Sequence, residues 1–182
     1  MRPALVLLNG VPASGKSTLA RAWCARHADR LPLALDLDVL RSMLGGWRDA
    51  LPEAGLAARA MALAAIGVHL RAGRDVIVPQ YLRREEFVVE LRDVAEGVGA
   101  TFVEVALVVD ARTAGERFRA RARGMSDATG NPHGELEGPI DAVVRGFERF
   151  LATRPGVIRV TAPGSDGVDL LDALVASARA SA

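Results

Sequence analysis

One stretch constrains what this chain can fold into more than any other: Gly10-Val11-Pro12-Ala13-Ser14-Gly15-Lys16-Ser17-Thr18. Before it lies the apolar run 4–8, and after it a helix-like run over 19–28. The spacing is G-x-x-x-x-G-K-[ST] between a strand and a helix, the context that this pattern requires. Glycines at 10 and 15 permit a tight turn that aims successive backbone N–H groups inward. The helix that follows adds unsatisfied N–H groups and the positive end of its dipole. Such a turn cradles phosphates.

The expected contacts to a nucleoside triphosphate are Gly10, Ala13, Ser14, Gly15, Lys16, Ser17 and Thr18. Lys16 reaches the β- and γ-phosphates, the Ser17 hydroxyl takes a Mg²⁺ position, and Thr18 lies near the α-phosphate. Lys16 is also the only lysine in the chain, all other members of the 23 Lys+Arg being arginine. A compact ammonium therefore stands where it differs most from a planar guanidinium.

At 182 residues, 50% hydrophobic and 25% charged, the chain suits one domain, 1–182, with a substantial core. A net charge of +1 argues against a general nucleic-acid coat or a membrane-surface protein. The single cysteine, Cys24, cannot form an internal disulfide, so a reducing cytoplasm is the expected location and a core position its expected role. The N-terminal apolar run lacks a small-residue cleavage pattern and reads as a strand rather than a leader. The apolar run 55–70 is interrupted by Arg59 and falls short of a bilayer span.

Strands are expected over 1–9, 31–37, 75–78, 101–109 and 157–160, alternating with helices over 16–28, 39–44, 53–71 and 83–97, and later ones ending at 124 and 180. That alternation predicts an α/β chain with right-handed crossovers and helices on both faces of a parallel sheet. With the phosphate turn after the first strand, the expected arrangement is the three-layer P-loop NTPase fold, with five strands in the order 2-3-1-4-5. Pro79 is expected to end the third strand, since it cannot donate to a ladder. Thr113-Ala114-Gly115-Glu116 matches a capping box and gives Glu116 a structural role, and Asp110 is read as structural beside it. Residues 124–138 are rich in Gly, Asp, Asn and Pro and read as a loop; His133 there has no partner at zinc-ligand spacing.

In open α/β sheets the chemistry sits beyond the carboxyl ends of the strands. Asp36, Asp38 and Arg41, after the second strand, therefore share a rim with the phosphate turn. Asp36 is a candidate Mg²⁺ ligand beside Ser17, and Asp38 is either a chemical group or a helix N-cap. The third strand ends in Pro79-Gln80 rather than in the aspartate of motor and switch proteins. Gln80 and Tyr81 are neutral hydrogen-bonding groups suited to a polyol, sugar or nucleoside-like acceptor.

With its Ala-Ser-Gly-Lys-Ser-Thr core, Asp38 followed by Arg41, and an arginine-bearing segment after the fourth strand, the chain resembles a P-loop kinase family over residues 4–124. That family includes polynucleotide 5′-kinases, adenylylsulfate kinase, chloramphenicol phosphotransferase and zeta-toxin-like kinases. The resemblance implies that Asp38 accepts the proton of an attacking hydroxyl and that Arg41 binds an anionic group of the acceptor or steadies Asp38. It implies a lid over 117–138, with Arg117 against the adenine and Arg121 on the phosphates. ATP or GTP with Mg²⁺, and a small hydroxylated acceptor such as an antibiotic or nucleotide-sugar, are the expected partners. The competing readings are a nucleic-acid 5′-end kinase, disfavoured by the lack of a dense basic and aromatic groove, and a nucleotide-dependent binding or switch protein without transfer.

Overall fold

A strand buried on both faces of a parallel sheet needs continuous apolar sequence. β1 (Ala4–Gly10) meets that demand, with every residue buried. The computed structural model describes residues 2–124, 138–161 and 166–181, apart from the side chains of 121–124. After β1 come α1 (Lys16–Arg26), β2 (Leu33–Ala34), α2 (Leu37–Ser42), α3 (Leu51–Arg71), β3 (Val76–Gln80) and α4 (Glu86–Gly97). Then follow β4 (Thr101–Val108), α5 (Ala111–Gly124), α6 (Ile140–Ala152), β5 (Ile158–Thr161) and α7 (Gly167–Ala180). The five strands form one all-parallel sheet in the order β2-β3-β1-β4-β5, the order expected.

Successive side chains of a strand point to opposite faces, and this divides β1 between two cores. Leu5 and Leu7 pack with Ile66 and Leu70 of α3 and Phe87 and Leu91 of α4. Ala4, Val6 and Leu8 pack with Leu19 and Trp23 of α1 and Leu171 and Val175 of α7. A third cluster seats Val143, Phe147 and Leu151 of α6 on Val11, Ala106 and Val109. Each such buried side chain contributes about 1.5–3 kcal/mol, so the helices are held by their apolar faces. Cys24 belongs to the second core, where burial, and then the charge of Asp75, pushes its thiol up to about 11. Such a thiol is unreactive at neutral pH.

Several boundaries differ from expectation, each for a local reason. β2 is two residues long rather than seven, because Leu31 takes a left-handed φ of 51° after the turn Ala28–Arg30 and Asp36 already caps α2. Pro79 lies inside β3, paired with Leu8. Asp75 and Ile77 offer their carbonyls to Leu33 and Leu35, so Pro79, in phase with them, also faces the β2 side. There β2 has already ended, and the missing N–H deprives no partner. The cap of α5 is Asp110, not Thr113: the Asp110 carboxylate accepts the Thr113 N–H at 2.9 Å and its hydroxyl at 2.7 Å, which together hold it below the usual carboxylate range. Glu116 instead faces Arg112 at 3.4 Å on the exposed side.

α3 spans 21 residues and reaches a mean hydropathy of 1.3 over 18 of them, so by length and composition alone it could cross a bilayer. Here Ala62, Ile66 and Leu70 lie against the sheet. Leu56, Met61 and Val68 of the same helix are exposed.

The α6–β5 connection is fastened by a buried ion pair. Arg154 grips both Glu104 oxygens, at 3.1 and 2.7 Å, and reaches Glu85 at 2.6 Å. The Arg154 and Glu104 side chains are only 8% and 7% exposed. Arg154→Met leaves the Glu104 carboxylate buried with, among the described residues, only Arg92, 3.9 Å away, and should cost about 3 kcal/mol in urea unfolding. Adding Glu104→Leu should recover most of that loss, because an apolar pair of similar volume removes both buried charges.

Candidate functional site

The turn after β1 is built from two different constraints on glycine. A Cβ on Gly10 would stand 2.6 Å from Ser14 Oγ and 3.1 Å from the Leu107 carbonyl, so this position needs the space. Gly15 has open surroundings but a φ of 97°, so it needs the left-handed backbone. Ala13 adopts a left-handed φ of 64° without that freedom, which marks local strain at a functional position. The Ser14 N–H donates to the Val11 carbonyl at 3.1 Å and closes the turn. Ser14 itself is buried, with a hydroxyl lacking a hydrogen-bond partner.

α1 starts at Lys16 with no side-chain cap and no acidic residue in its first turn. Its leading N–H groups and dipole thus face the turn uncompensated by any carboxylate of its own, an anion site by construction. The Lys16 ammonium bends back over the turn to donate to the Val11 carbonyl at 3.2 Å. Thr18 is exposed.

The carboxylates after β2 meet this turn. The Ser17 hydroxyl donates to Asp36 Oδ2 at 3.2 Å, and Asp36 Oδ1 accepts the Asp38 N–H at 3.1 Å. The N-cap of α2 is therefore Asp36, which leaves the Asp38 side chain out of that role. Asp38 pairs with Arg41 Nη2 at 3.1 Å, one turn along the same helix. Arg41 and Arg48 both stand over the buried Trp47 ring, at 5.2 and 4.4 Å from its centre. Trp47 thus steadies the arginine that faces Asp38.

The sheet brings Gly10, Ala13, Ser14, Gly15, Lys16, Ser17, Asp36, Asp38 and Arg41 to one rim, the carboxyl ends of β1 and β2. Arg117 is exposed on α5, beyond β4. The Arg121 side chain, His133 and the expected lid from 125 to 137 lie outside the described residues.

At the end of β3 stand Gln80 and Tyr81, the neutral hydrogen-bonding groups expected there. The Tyr81 hydroxyl donates to the Val143 carbonyl at 3.4 Å, and its ring meets Phe147 edge-on at 6.0 Å, so Tyr81 packs towards α6. Gln80 keeps a buried Oε1 without a hydrogen-bond partner.

Asn9 was hidden in an apolar strand by sequence pattern. It is fully buried, donates to the Leu82 carbonyl at 3.2 Å and accepts the Leu82 N–H at 2.9 Å. A polar residue at the buried end of a strand needs such partners, and that was the available signal. The residue next to the phosphate turn thus pins the β3–α4 connection.

α1 is seated by a polar cluster on its far face. The Trp23 indole N–H donates to Asp172 of α7 at 2.8 Å, His27 meets the same carboxylate at 2.6 Å, and Arg26 adds a longer contact at 3.4 Å. Burial pushes the Asp172 carboxyl up, but the bonds from His27, Trp23 and Arg26 outweigh it and leave it below the usual range.

Fold and rim together define a protein of the P-loop nucleotide-binding fold. Residues 5–137 match the family model described as AAA domain, well over half of the chain, and the chain belongs to that family. Its backbone is similar to that of a candidate kinase from Chloroflexus aurantiacus j-10-fl, with 22% identity, a TM-score of 0.69, and 98% of this chain and 99% of that one covered. It is also similar to Chaetomium thermophilum Kti12 in complex with ADP-AlF3, with 16% identity, a TM-score of 0.66, and 96% and 98% covered. Deoxyadenosine kinase from M. mycoides aligns at 14% identity with a TM-score of 0.54, covering 95% and 99%. At these identities the likeness is one of fold. No curated protein gives a match.

The polar seat of α1 has a pH signature. Because the folded Asp172 carboxyl is depressed, its stabilisation is complete above the unfolded carboxylate value of about 4 and fades as the pH falls below it. The difference in urea midpoint between the wild type and Asp172→Asn should be largest near neutrality and shrink as the pH falls below about 4.

Proposed function

We propose that the protein is a kinase that moves the γ-phosphoryl group of ATP or GTP to a hydroxyl of a small molecule. The observation that carries this reading is the junction of two elements. Ser17, in the first turn after the phosphate loop, is hydrogen-bonded to Asp36, the N-cap of α2, and Asp38 two residues later faces Arg41. A carboxylate beyond the one that faces Ser17 gives an acceptor hydroxyl a group that can take its proton.

Phosphoryl transfer passes through a loose transition state with charge spread over the transferred group, so a protein contributes chiefly position and positive charge. In this reading the loop N–H groups and Lys16 hold the β- and γ-phosphates. Asp38 accepts the proton of the acceptor hydroxyl as its oxygen bonds to the γ-phosphorus. The bond from that phosphorus to the bridging oxygen breaks, and the nucleoside diphosphate leaves with the electron pair. Arg41 orients Asp38 or meets an anionic part of the acceptor, and Arg117 and Arg121 are the proposed lid contacts to base and phosphates.

Among the described residues no group of three or more His, Cys, Asp or Glu gathers as a metal cage. The Ser17 hydroxyl and Asp36 carboxylate instead form a two-oxygen set, which fits Mg²⁺, an ion that usually keeps waters and substrate phosphates as its other ligands. Bound there, Mg²⁺ would supply charge neutralisation between the β- and γ-oxygens.

Labelled ATP, Mg²⁺ and a library of hydroxylated metabolites and antibiotics provide the test. Asp38→Asn should bind nucleotide normally and transfer at least about 100-fold more slowly, the usual scale of a lost general base. Lys16→Ala should weaken nucleotide binding and abolish transfer. A near-normal rate in Asp38→Asn would remove Asp38 from the chemistry, and tight nucleotide binding with no acceptor phosphorylated would favour the binding-protein reading.

A further inference from the structure

A helix on the outside of a sheet normally turns charged and polar residues to solvent. α3 does not. Between Glu53 and Arg71, every exposed residue of the helix except Arg59 is alanine, leucine, methionine or valine. Leu56 and Val68 are 65% and 63% exposed, too far out to be the margin of the core. A contiguous apolar face of this kind marks an interaction surface.

The order of residues on that face identifies what covers it. Ala62 is fully buried and marks the side that lies on the sheet. At about 100° per residue, Glu53, Ala60, Ala64 and Arg71 all fall within about 20° of the line directly opposite. Along that line they are symmetric about residue 62: Ala60 and Ala64 stand two residues either side of it, and Glu53 and Arg71 stand nine. Leu56 and Val68 stand six residues either side, on opposite flanks of the line. A two-fold axis through that centre lays a second copy of α3 antiparallel to the first. Glu53 of each copy then meets Arg71 of the other, Leu56 meets Val68 twice, and Ala60 meets Ala64 at the centre. Small side chains there let two helices approach to about 8 Å. A parallel pair would instead set Glu53 against Glu53 and Arg71 against Arg71. Neither charge enters an ion pair among the described residues. Their signs also suit the helix dipole, acid in the first turn and base in the last, and the antiparallel pair uses each charge a second time.

We infer that the outward face of α3 is the interface of a two-fold homodimer, with the two copies of the helix antiparallel and centred on residue 62. Sedimentation equilibrium of the full chain tests this. The wild type should be largely dimeric at about 100 µM and dissociate on dilution, as the small interface of one helix pair implies. Ala60→Arg/Ala64→Arg changes two exposed positions to a good helix former. It should keep the wild-type circular dichroism and raise the dimer dissociation constant about 100-fold or more. At low salt, Glu53→Arg or Arg71→Glu alone should raise that constant about fivefold or more, because each sets like charges face to face at both ends. The double exchange Glu53→Arg/Arg71→Glu should return it to within about twofold of the wild type. A purely structural role for the two charges predicts the reverse, since the double exchange opposes the helix dipole at both ends. A wild type that stays monomeric at about 100 µM, a dimer that persists in Ala60→Arg/Ala64→Arg, or single reversals that the double exchange does not rescue would overturn the inference. So would a monomer that floats with phosphatidylcholine vesicles, which would assign the face to a bilayer.

Discussion

The close approach of the backbone at Gly10 to β4 is the constraint on which the site depends. Gly10 pairs with Leu107, and a Cβ there would stand 2.6 Å from Ser14 Oγ and 3.1 Å from the Leu107 carbonyl. β1 is clamped by β3 on one side and β4 on the other, so the turn that follows cannot shift without breaking two ladders. The strained Ala13 and the left-handed Gly15 persist because the sheet below and α1 above over-determine their positions. α1 in turn is docked by Leu19 and Trp23 in the core and by the Asp172 cluster at its end.

From that anchor, each further part of the rim is reached through one or two specific bonds. Asp36 serves twice, ending β2 as the cap of α2 and accepting from Ser17. Asn9 ties the segment beyond β3 to the strand that carries the turn. Arg154 joins Glu85, in that same connection, to Glu104 in β4. Buried polar groups tolerate little displacement, because an unsatisfied partner costs more than the bond contributes.

The alternation of apolar runs and helical patterns was enough to read five parallel strands and their surrounding helices, since strands buried on both faces leave an unbroken hydrophobic signal. Local chemistry was less legible. Pro79 sits in a strand because β2 happens to be short, a fact of pairing rather than of composition. Thr113 looked like a cap, but Asp110, three residues earlier, reached its N–H first. Tyr81 packs one side of its ring on the α6 cluster, a contact that no sequence pattern announces, and also lines a cavity beside the β3–α4 connection. The outward face of α3 carried no signal either, because periodicity shows an apolar helix but not which of its apolar residues the sheet leaves outside.

The sequence by itself determined the phosphate turn, because its glycine spacing, lysine and hydroxyl are local requirements that a few consecutive residues satisfy. It determined the sheet class as well, through periodicity. Tertiary structure alone decided that Asp36 rather than Asp38 caps α2 while holding Ser17, that Asn9 pins Leu82, and which side of α3 the sheet covers. Those relations join residues up to 73 positions apart, and no short-range pattern encodes them. They exist only once the hydrophobic faces have packed and set which chain ends lie side by side.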